Sequence, residues 1–370
     1  MRVLGFMSGT SLDAIDMAIL ETDGEVIHAF GPAGERKLSV EIRAVIQAAT
    51  DQARAWPRGE PEPAVFAEAA RAVAEAHLAA AREFLAEHGF RPDQIDMVGF
   101  HGQTVLHERP MAERIGRTVQ LGEAEILARG LGVPVAYAFR LDDVAAGGEG
   151  APLAPIYHAA LARYARLPAP VAVLNLGGVA NITLMGEGDL FHGFDTGPAN
   201  GMIDLLVQAR GLGRYDEGGQ LARSGQVDAA VLEGLLAHPY FAAPPPKSLD
   251  RYDFPMASVE GLSDADAAAT LVAFTAAAVA RGLDWFDADQ QPRTVIAAGG
   301  GRRNPAIMQA LREALPAQVI SAEDAGWRGD SIEAEAFAYL AARTAHGLPI
   351  SFPGTTGVKA PMTGGKIVRP

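Results

Sequence analysis

Two stretches of this sequence carry one pattern, and that recurrence limits the possible folds more than any other feature. Residues 3–7 are an apolar run ending in the polar turn Ser8-Gly9-Thr10-Ser11. Residues 15–20 form a second run, Asp23-Gly24 is a strong hairpin turn, and residues 26–30 form a third. The pattern returns with residues 171–176, the turn Gly177-Gly178, residues 180–185, the turn Gly186-Glu187-Gly188-Asp189 and residues 190–194. Each stretch reads as an antiparallel meander. The two share architecture rather than residue identity, which leaves duplication open.

Alternating helices and strands follow each meander. Phe66, Ala69, Val73, Ala76, Ala80 and Phe84 recur at helical steps over residues 64–88, with Gly89 as the stop. Residues 96–100 read as a buried strand running into His101-Gly102-Gln103-Thr104. In the second half, residues 200–210 and 264–286 read as helices, and residues 294–298 as a strand ending in Gly299-Gly300-Gly301. Asn304 or Pro305 opens a helix to residue 315, and residues 333–345 form the last one. Strand, helix, strand is the order of an α/β protein. The Gly- and Pro-rich residues 145–155 read as a hinge or crossover.

Composition removes several classes of function. The 370 residues suffice for two or three domains, each with its own core. There are no cysteines, hence no disulfide, thiolate metal site or thiol nucleophile. The net charge of −14 argues against sequence-independent nucleic-acid binding and against anionic membranes. The N-terminus turns polar at Ser8, too soon for a signal peptide, and the weakly polar run 267–280 is shorter than a membrane span and reads as a buried helix. A cytoplasmic protein is expected.

The chemistry is carried by three glycine turns, at residues 8–11, 177–178 and 299–301, each directly after an apolar strand. Glycine lets backbone N–H groups approach an anion with no Cβ in the way, and neighbouring hydroxyls add donors. Singly such a turn is only a turn; three of them point to phosphate. An acidic protein holding a polyphosphate needs a neutralising cation, which implies Mg²⁺ held by one or two carboxylates and water. Asp13 is within reach of the first turn, although a plain solvent-facing carboxylate fits the spacing equally well. Asp195, in Phe194-Asp195-Thr196-Gly197-Pro198, ends a strand before a helix. It suits a general base for phosphoryl transfer, but spacing alone favours a helix cap. The polar run His101 to Thr104 suits a polyhydroxylated ligand. His101 with His107 is more simply a pair of structural histidines than a metal pair, Arg140 with Asp143 a surface ion pair, and Glu333 an acid favoured by its helix dipole. Lys247 is the one cation of the stiff loop 244–248.

Taken together, several runs are recognisable. Gly5-Phe6-Met7-Ser8-Gly9-Thr10-Ser11-Leu12-Asp13-Ala14-Ile15-Asp16 closely resembles the N-terminal signature of the anhydro-N-acetylmuramic acid kinases. Residues 99–104, 143–153, 175–183 and 194–198 resemble further blocks of that family in its order, and Pro245-Pro246-Lys247-Ser248 and the Gly299 triplet continue the match. The resemblance implies the two-domain actin-like ATPase and sugar kinase α/β fold, with duplicated mixed-sheet domains and a central cleft for ATP and Mg²⁺. It places the first domain at residues 1–140 plus about 346–370 and the second at 141–345. It implies conversion of 1,6-anhydro-N-acetylmuramic acid, ATP and water into N-acetylmuramic acid 6-phosphate and ADP in cell-wall recycling, with a homodimer as in relatives.

On this sequence the resemblance implies that Ser8, Gly9, Thr10, Ser11, Gly177, Gly178 and Asn181 take the phosphate side. Gly299, Gly300 and Gly301 lie by the adenosine, and Asp195 is the base. His101, Gln103, Thr104, Arg140 and Glu333 belong to the sugar site; Asp13 stays a candidate for the metal by its position after the first turn alone. Two positions depart from the family pattern: Ala138 stands where an Asp is common, and Leu249-Asp250-Arg251-Tyr252 replaces a common Thr-Gly-Arg-Glu. The alternatives are a kinase of the same fold acting on an ordinary sugar, or a non-catalytic nucleotide-gated binding protein.

Overall fold

β1 (Arg2–Ser8), β2 (Ala14–Thr22) and β3 (Ile27–Lys37) form the first meander. Its turn is made by Asp23, whose Oδ1 accepts the N–H groups of Glu25 at 2.8 Å and Val26 at 2.7 Å, which keeps Val26 exposed outside the strand. α1 (Val40–Ala55) and α2 (Val65–Glu87) follow. β4 (Met97–Phe100) then lies parallel to β1, β5 (Gln103–Glu108) and β6 (Arg117–Leu121) make a separate hairpin, and β7 (Val135–Tyr137) lies parallel to β4 after α3 (Ala124–Leu131). α4 (Leu141–Ala145) and α5 (Pro155–Tyr164) complete this part. The structure is a computed structural model that describes residues 1–9, 12–111, 113–188, 190–249 and 253–370. Thr10, Ser11, Asp189, Asp250, Arg251 and Tyr252 lie outside the described residues.

The second meander is β8 (Val171–Leu176), β9 (Val179–Met185) and β10 (Phe191–Pro198). Four helices succeed it: α6 (Asn200–Ala209), α7 (Gln220–Ser224), α8 (Ala229–Leu236) and α9 (Asp264–Leu283). β11 (Thr294–Ala298) is parallel to β8, and β12 (Gln318–Ser321), after α10 (Pro305–Ala314), is parallel to β11. The sheets read β3-β2-β1-β4-β7 and β10-β9-β8-β11-β12, the same order twice. This is the duplicated mixed-sheet α/β architecture of the actin-like ATPase and sugar kinase fold. α11 (Ile332–Ala345), α12 (Pro353–Thr356) and β13 (Lys366–Val368), paired to β7, close the chain.

The chain divides into one unit of Met1–Tyr164 with Ser331–Pro370 and another of Ala165–Asp330. The crossings therefore fall at residues 164/165 and 330/331, not at 140/141 and 345/346. Two local causes move them. The glycine-rich residues 145–155 are no crossover, because Asp143, 1% exposed, anchors them with Oδ1 on the Gly150 N–H at 2.6 Å and Oδ2 on the Thr356 hydroxyl. α11 belongs wholly to the first unit, where it packs on β1, β2 and β4. It lies on backbone rather than on side chains: Gly5 and Gly99 are partners across β1 and β4, and Ala334 and Phe337 of the helix sit above them.

Each unit has its own core. In the first, Leu4, Phe6, Met17, Phe84, Val98 and Phe100 are buried together. In the second, Leu174, Ile182 and Phe194 pack against Leu271, Phe274 and Val279 of α9. Among the described residues α9 is the helix long and apolar enough to cross a membrane, but 72% of its apolar window is buried in this core. Ser263 caps it, accepting the Asp266 N–H at 3.1 Å.

Three histidines of the first unit, His77, His107 and His158, are held neutral by burial, each with its pKa lowered to about 4 from 6.5. Between pH 4 and 6.5 the unfolded chain therefore binds more protons than the native one, so stability is full above pH 6.5 and lost as the pH falls toward 4. Each imidazole contributes at most about 1.4 kcal/mol per pH unit in that window. The urea midpoint is expected to drop between pH 6.5 and 5, where carboxylates stay ionised; a flat midpoint there would contradict these assignments.

Candidate active site

In the first unit the carboxyl ends of the parallel strands β1, β4 and β7 lie side by side, the usual place for a ligand in an open α/β sheet. β1 delivers Ser8 and Gly9, β4 leads into His101, and Arg140 follows β7. Gln103 ties the first two ends together, its Nε2 donating to the Gly9 carbonyl at 3.3 Å. Gln103 and Thr104 open a new strand, β5, in place of ending the strand before them, and Gln120 Nε2 on β6 reaches Thr104 Oγ1 at 3.4 Å.

Arg140 makes no surface ion pair with Asp143. It is half-buried, with Nε and Nη2 directed at His101 Nε2 at 3.2 and 3.1 Å, and Nη1 donating to the Gly150 carbonyl at 2.7 Å. Asp143 takes the N–H of that same Gly150. Burial draws the Arg140 pKa down to about 10, against the pull of Glu333 and then Asp143. His101 is neutral: burial first, then the Arg140 charge, holds its pKa well below 6.5. An imidazole that faces a guanidinium through Nε2 carries its proton on Nδ1. Glu333 is exposed in the first turn of α11 and acts on Arg140 through its charge.

Among the described residues, Ser8 Oγ, His101 Nδ1, Gln103 Oε1 and Gln120 Oε1 are buried without a hydrogen-bond partner. Buried polar atoms are almost always satisfied. Four orphans around the strand ends mark a surface built for a polar ligand.

In the second unit the ends of β8 and β11 carry the other two glycine turns, and the Gly299 turn packs against Asn175 and Leu176 at the end of β8. A Cβ on Gly299, whose φ is +71°, would lie 2.3 Å from Asn175 Oδ1, so only glycine fits both the conformation and the space. The Gly177 and Gly178 carbonyls accept the N–H groups of Asn200 at 3.0 Å and of Ala199 and Gly201 at 3.1 Å. A planar trans peptide points its N–H opposite to its C=O, so the exposed Gly178 presents its N–H away from α6.

Asp195, Asn181 and Asn175 are direct partners across β10, β9 and β8 and share one face of the sheet, opposite the core residue Phe194. Asp195 does not end its strand. β10 continues to Pro198, with a register shift between Asp195 and Gly197 that breaks the ladder beside the carboxylate. Nor does it cap α6, whose cap residue Ala199 makes no side-chain bond. Instead residues 240–249 grip it: its N–H donates to the Lys247 carbonyl at 2.9 Å, its Oδ2 accepts the Leu249 N–H at 2.7 Å, and the Tyr240 hydroxyl donates to its carbonyl.

Lys247 fastens this grip from below. Its Nζ donates to the Tyr240 and Ala243 carbonyls at 3.0 and 2.8 Å and sits 4.5 Å from the Tyr240 ring centre; burial lowers its pKa to about 8. Lys247→Met keeps the length and loses both bonds. Turnover is expected to fall about tenfold, the scale of one charge-assisted hydrogen bond, with substrate KM values changing less than threefold. Steady-state rates of the two proteins decide it.

The family model for anhydro-N-acetylmuramic acid kinase matches residues 1–370, the whole chain. The chain belongs to this family. A protein of that name from Caulobacter vibrioides is 67% identical over 369 residues, covering 100% of this chain and 99% of its own. Relatives with the same name from Phenylobacterium zucineum and Brucella anthropi are 66% identical over 371 residues and 49% over 366, covering 100% and 98% of their own lengths.

Within each unit the structure brings most of the family-implied residues together: Ser8, Gly9, His101, Gln103, Thr104 and Arg140 in one, Gly177, Gly178, Asn181, Asp195 and the Gly299 turn in the other. Asp13 is exposed beyond the first turn, its carbonyl bonded to the Leu38 N–H at 3.1 Å. Among the described residues no three His, Asp or Glu side chains group as a metal cage. Sequence reasoning passed over Asn175, Asn200 and Tyr240, and it gave Asp143 a surface ion pair in place of its buried hold on Gly150 and Thr356. Asn175 was findable, since a polar residue before a glycine turn breaks an apolar strand.

Proposed function

We propose that this chain is an ATP-dependent kinase that opens 1,6-anhydro-N-acetylmuramic acid with water and phosphorylates O6, yielding N-acetylmuramic acid 6-phosphate and ADP in cell-wall recycling in the cytoplasm. The observation that carries the mechanism is the placement of Asp195, a half-buried carboxylate held by a backbone N–H in one row with Asn181 and Asn175, at the glycine-turn end of its sheet.

Asp195 takes a proton from water as the water oxygen bonds to C1. The C1–O6 bond breaks, and its electron pair on O6 attacks the γ-phosphorus as ADP leaves. The chemistry resembles inverting glycoside hydrolysis, with the phosphoryl group in place of the acid's proton. One carboxylate therefore suffices. The N–H groups of the glycine turns at 8–9, 177–178 and 299–301 bind the nucleotide. His101, Gln103, Thr104 and Arg140 orient the sugar, with Glu333 near Arg140. Asp13, an exposed hard oxygen donor, would hold Mg²⁺, which would supply charge neutralisation for the phosphates.

An ADP-release assay with the anhydro sugar, run in ¹⁸O-water with mass analysis of the product, tests the reading. One ¹⁸O at C1 is expected. ADP release with no label in the sugar would make the enzyme an ordinary hydroxyl kinase, and sugar-independent ADP release a nucleotide-gated binding protein.

A further inference from the structure

We infer that Arg302 is the positioning residue of the nucleotide turn at 299–301, fixing it to the segment where the chain leaves its second unit. The inference rests on the reading of that turn as part of the nucleotide site. Arg302 lies in the short helical turn Gly300–Arg303, and its side chain is 2% exposed. Its guanidinium bonds in three directions. Nη1 donates to the Gly299 carbonyl at 2.8 Å; Nε and Nη2 meet the Glu323 carboxylate at 3.0 and 2.7 Å; Nη2 also reaches Asp330 Oδ1 at 2.9 Å. Glu323 follows β12, and Asp330 is the last residue before the crossing at Ser331.

The consequence for the turn follows from peptide geometry. The Gly299 carbonyl is held twice by Arg302, through the side chain and through its backbone N–H at 3.3 Å. Because the peptide is planar and trans, a pinned Gly299 C=O sends the Gly300 N–H the opposite way, and Gly300 is exposed. Arg302 thus aims a donor at the nucleotide without needing to touch it. Lysine cannot replace it, since a single ammonium lacks the rigid fork that serves a carbonyl and two carboxylates at once. The backbone leaves room for the fork at Gly329, where a Cβ would fall 2.3 Å from Arg302 Nε.

The test uses the full chain, with ADP and Mg²⁺ as the probe in calorimetry and KM values for ATP and the anhydro sugar measured in parallel. Arg302→Gln is expected to weaken ADP and raise the ATP KM about tenfold or more, while the sugar KM moves less than twofold. Arg302→Lys is expected not to rescue it. Wild-type ADP affinity in Arg302→Gln, or an equal rise in both KM values, overturns the inference. Should Arg302→Gln fail to fold, Glu323→Gln and Gly329→Ala decide: weaker ADP with an unchanged sugar KM supports positioning, and wild-type ADP affinity refutes it. A wild-type protein that binds no ADP at all overturns the nucleotide reading itself, and the inference with it.

Discussion

Asp195→Asn is expected to lower turnover of 1,6-anhydro-N-acetylmuramic acid by about 10²- to 10⁴-fold or more, the usual loss when a general base is removed. The substitution is nearly isosteric. The amide oxygen can still accept the Leu249 N–H that Asp195 Oδ2 accepts at 2.7 Å, and the backbone bonds to Lys247 and Tyr240 do not involve the side chain. Folding and both KM values should therefore stay within a few-fold, so that the loss appears in kcat. What the amide cannot do is take a proton from water. Rapid-quench rates on Asp195→Asn, with ADP affinity as the folding control, separate these effects. Near-normal turnover would mean that another group activates the water, and the one-carboxylate mechanism would have to go.

Gly99→Ala is the second large effect, on stability instead of chemistry. An added Cβ would fall 2.1 Å from the Phe337 carbonyl oxygen and 2.7 Å from its carbon. Both are backbone atoms of α11, so no rotamer change relieves the overlap; the helix must lift or the strand must bend. Overpacking of a well-filled core costs about 1–3 kcal/mol, and more when the obstacle is rigid. Against a typical domain stability of about 5–15 kcal/mol, a loss of about 3 kcal/mol or more is expected here. Gly5→Ala, with a Cβ 2.0 Å from the Ala334 carbonyl oxygen, should behave alike. Gly234→Ala is the control: it lies inside α8 with nothing within 4 Å of its Cβ, and helix propensity should leave it neutral or slightly stabilised. Urea midpoints read this directly. A wild-type midpoint for Gly99→Ala would show that α11 does not rest on the sheet backbone. Because α11 also carries Glu333, which we propose lies near the sugar, a folded Gly99→Ala protein should show a raised sugar KM.

The two meanders were legible because alternating apolar runs and Asp-Gly or Gly-Gly turns are local signals, and the structure places β1 to β3 and β8 to β10 where those signals fall. The crossings were not. Residues 145–155 have the composition of a linker, yet a single buried carboxylate, Asp143, holds them within the first unit through Gly150 and Thr356. That contact joins residues far apart in the chain and leaves no periodic trace.

The candidate site divides along the same line. The glycine turns, Asp195 and the run His101 to Thr104 stand out by residue type, because phosphate, proton transfer and hydroxyl recognition each demand particular groups. What surrounds each of them depended on pairing. Spacing made Asp195 a helix cap, and only the β9–β10 register, with the shift after Asp195, set its carboxylate beside Asn181 and Asn175. Spacing made Arg140 a surface ion, and only the alignment of β4 with β7 turned it inward against His101.

Taken alone, the order of residues determined which chemical groups the protein owns and that it builds one strand pattern twice, since turns and strands are decided by neighbours a few positions away. Which of those groups meet, which are buried and where the units part was decided by the tertiary structure. Dielectric environment and hydrogen-bond partners come from residues that the fold, not the sequence, makes neighbours.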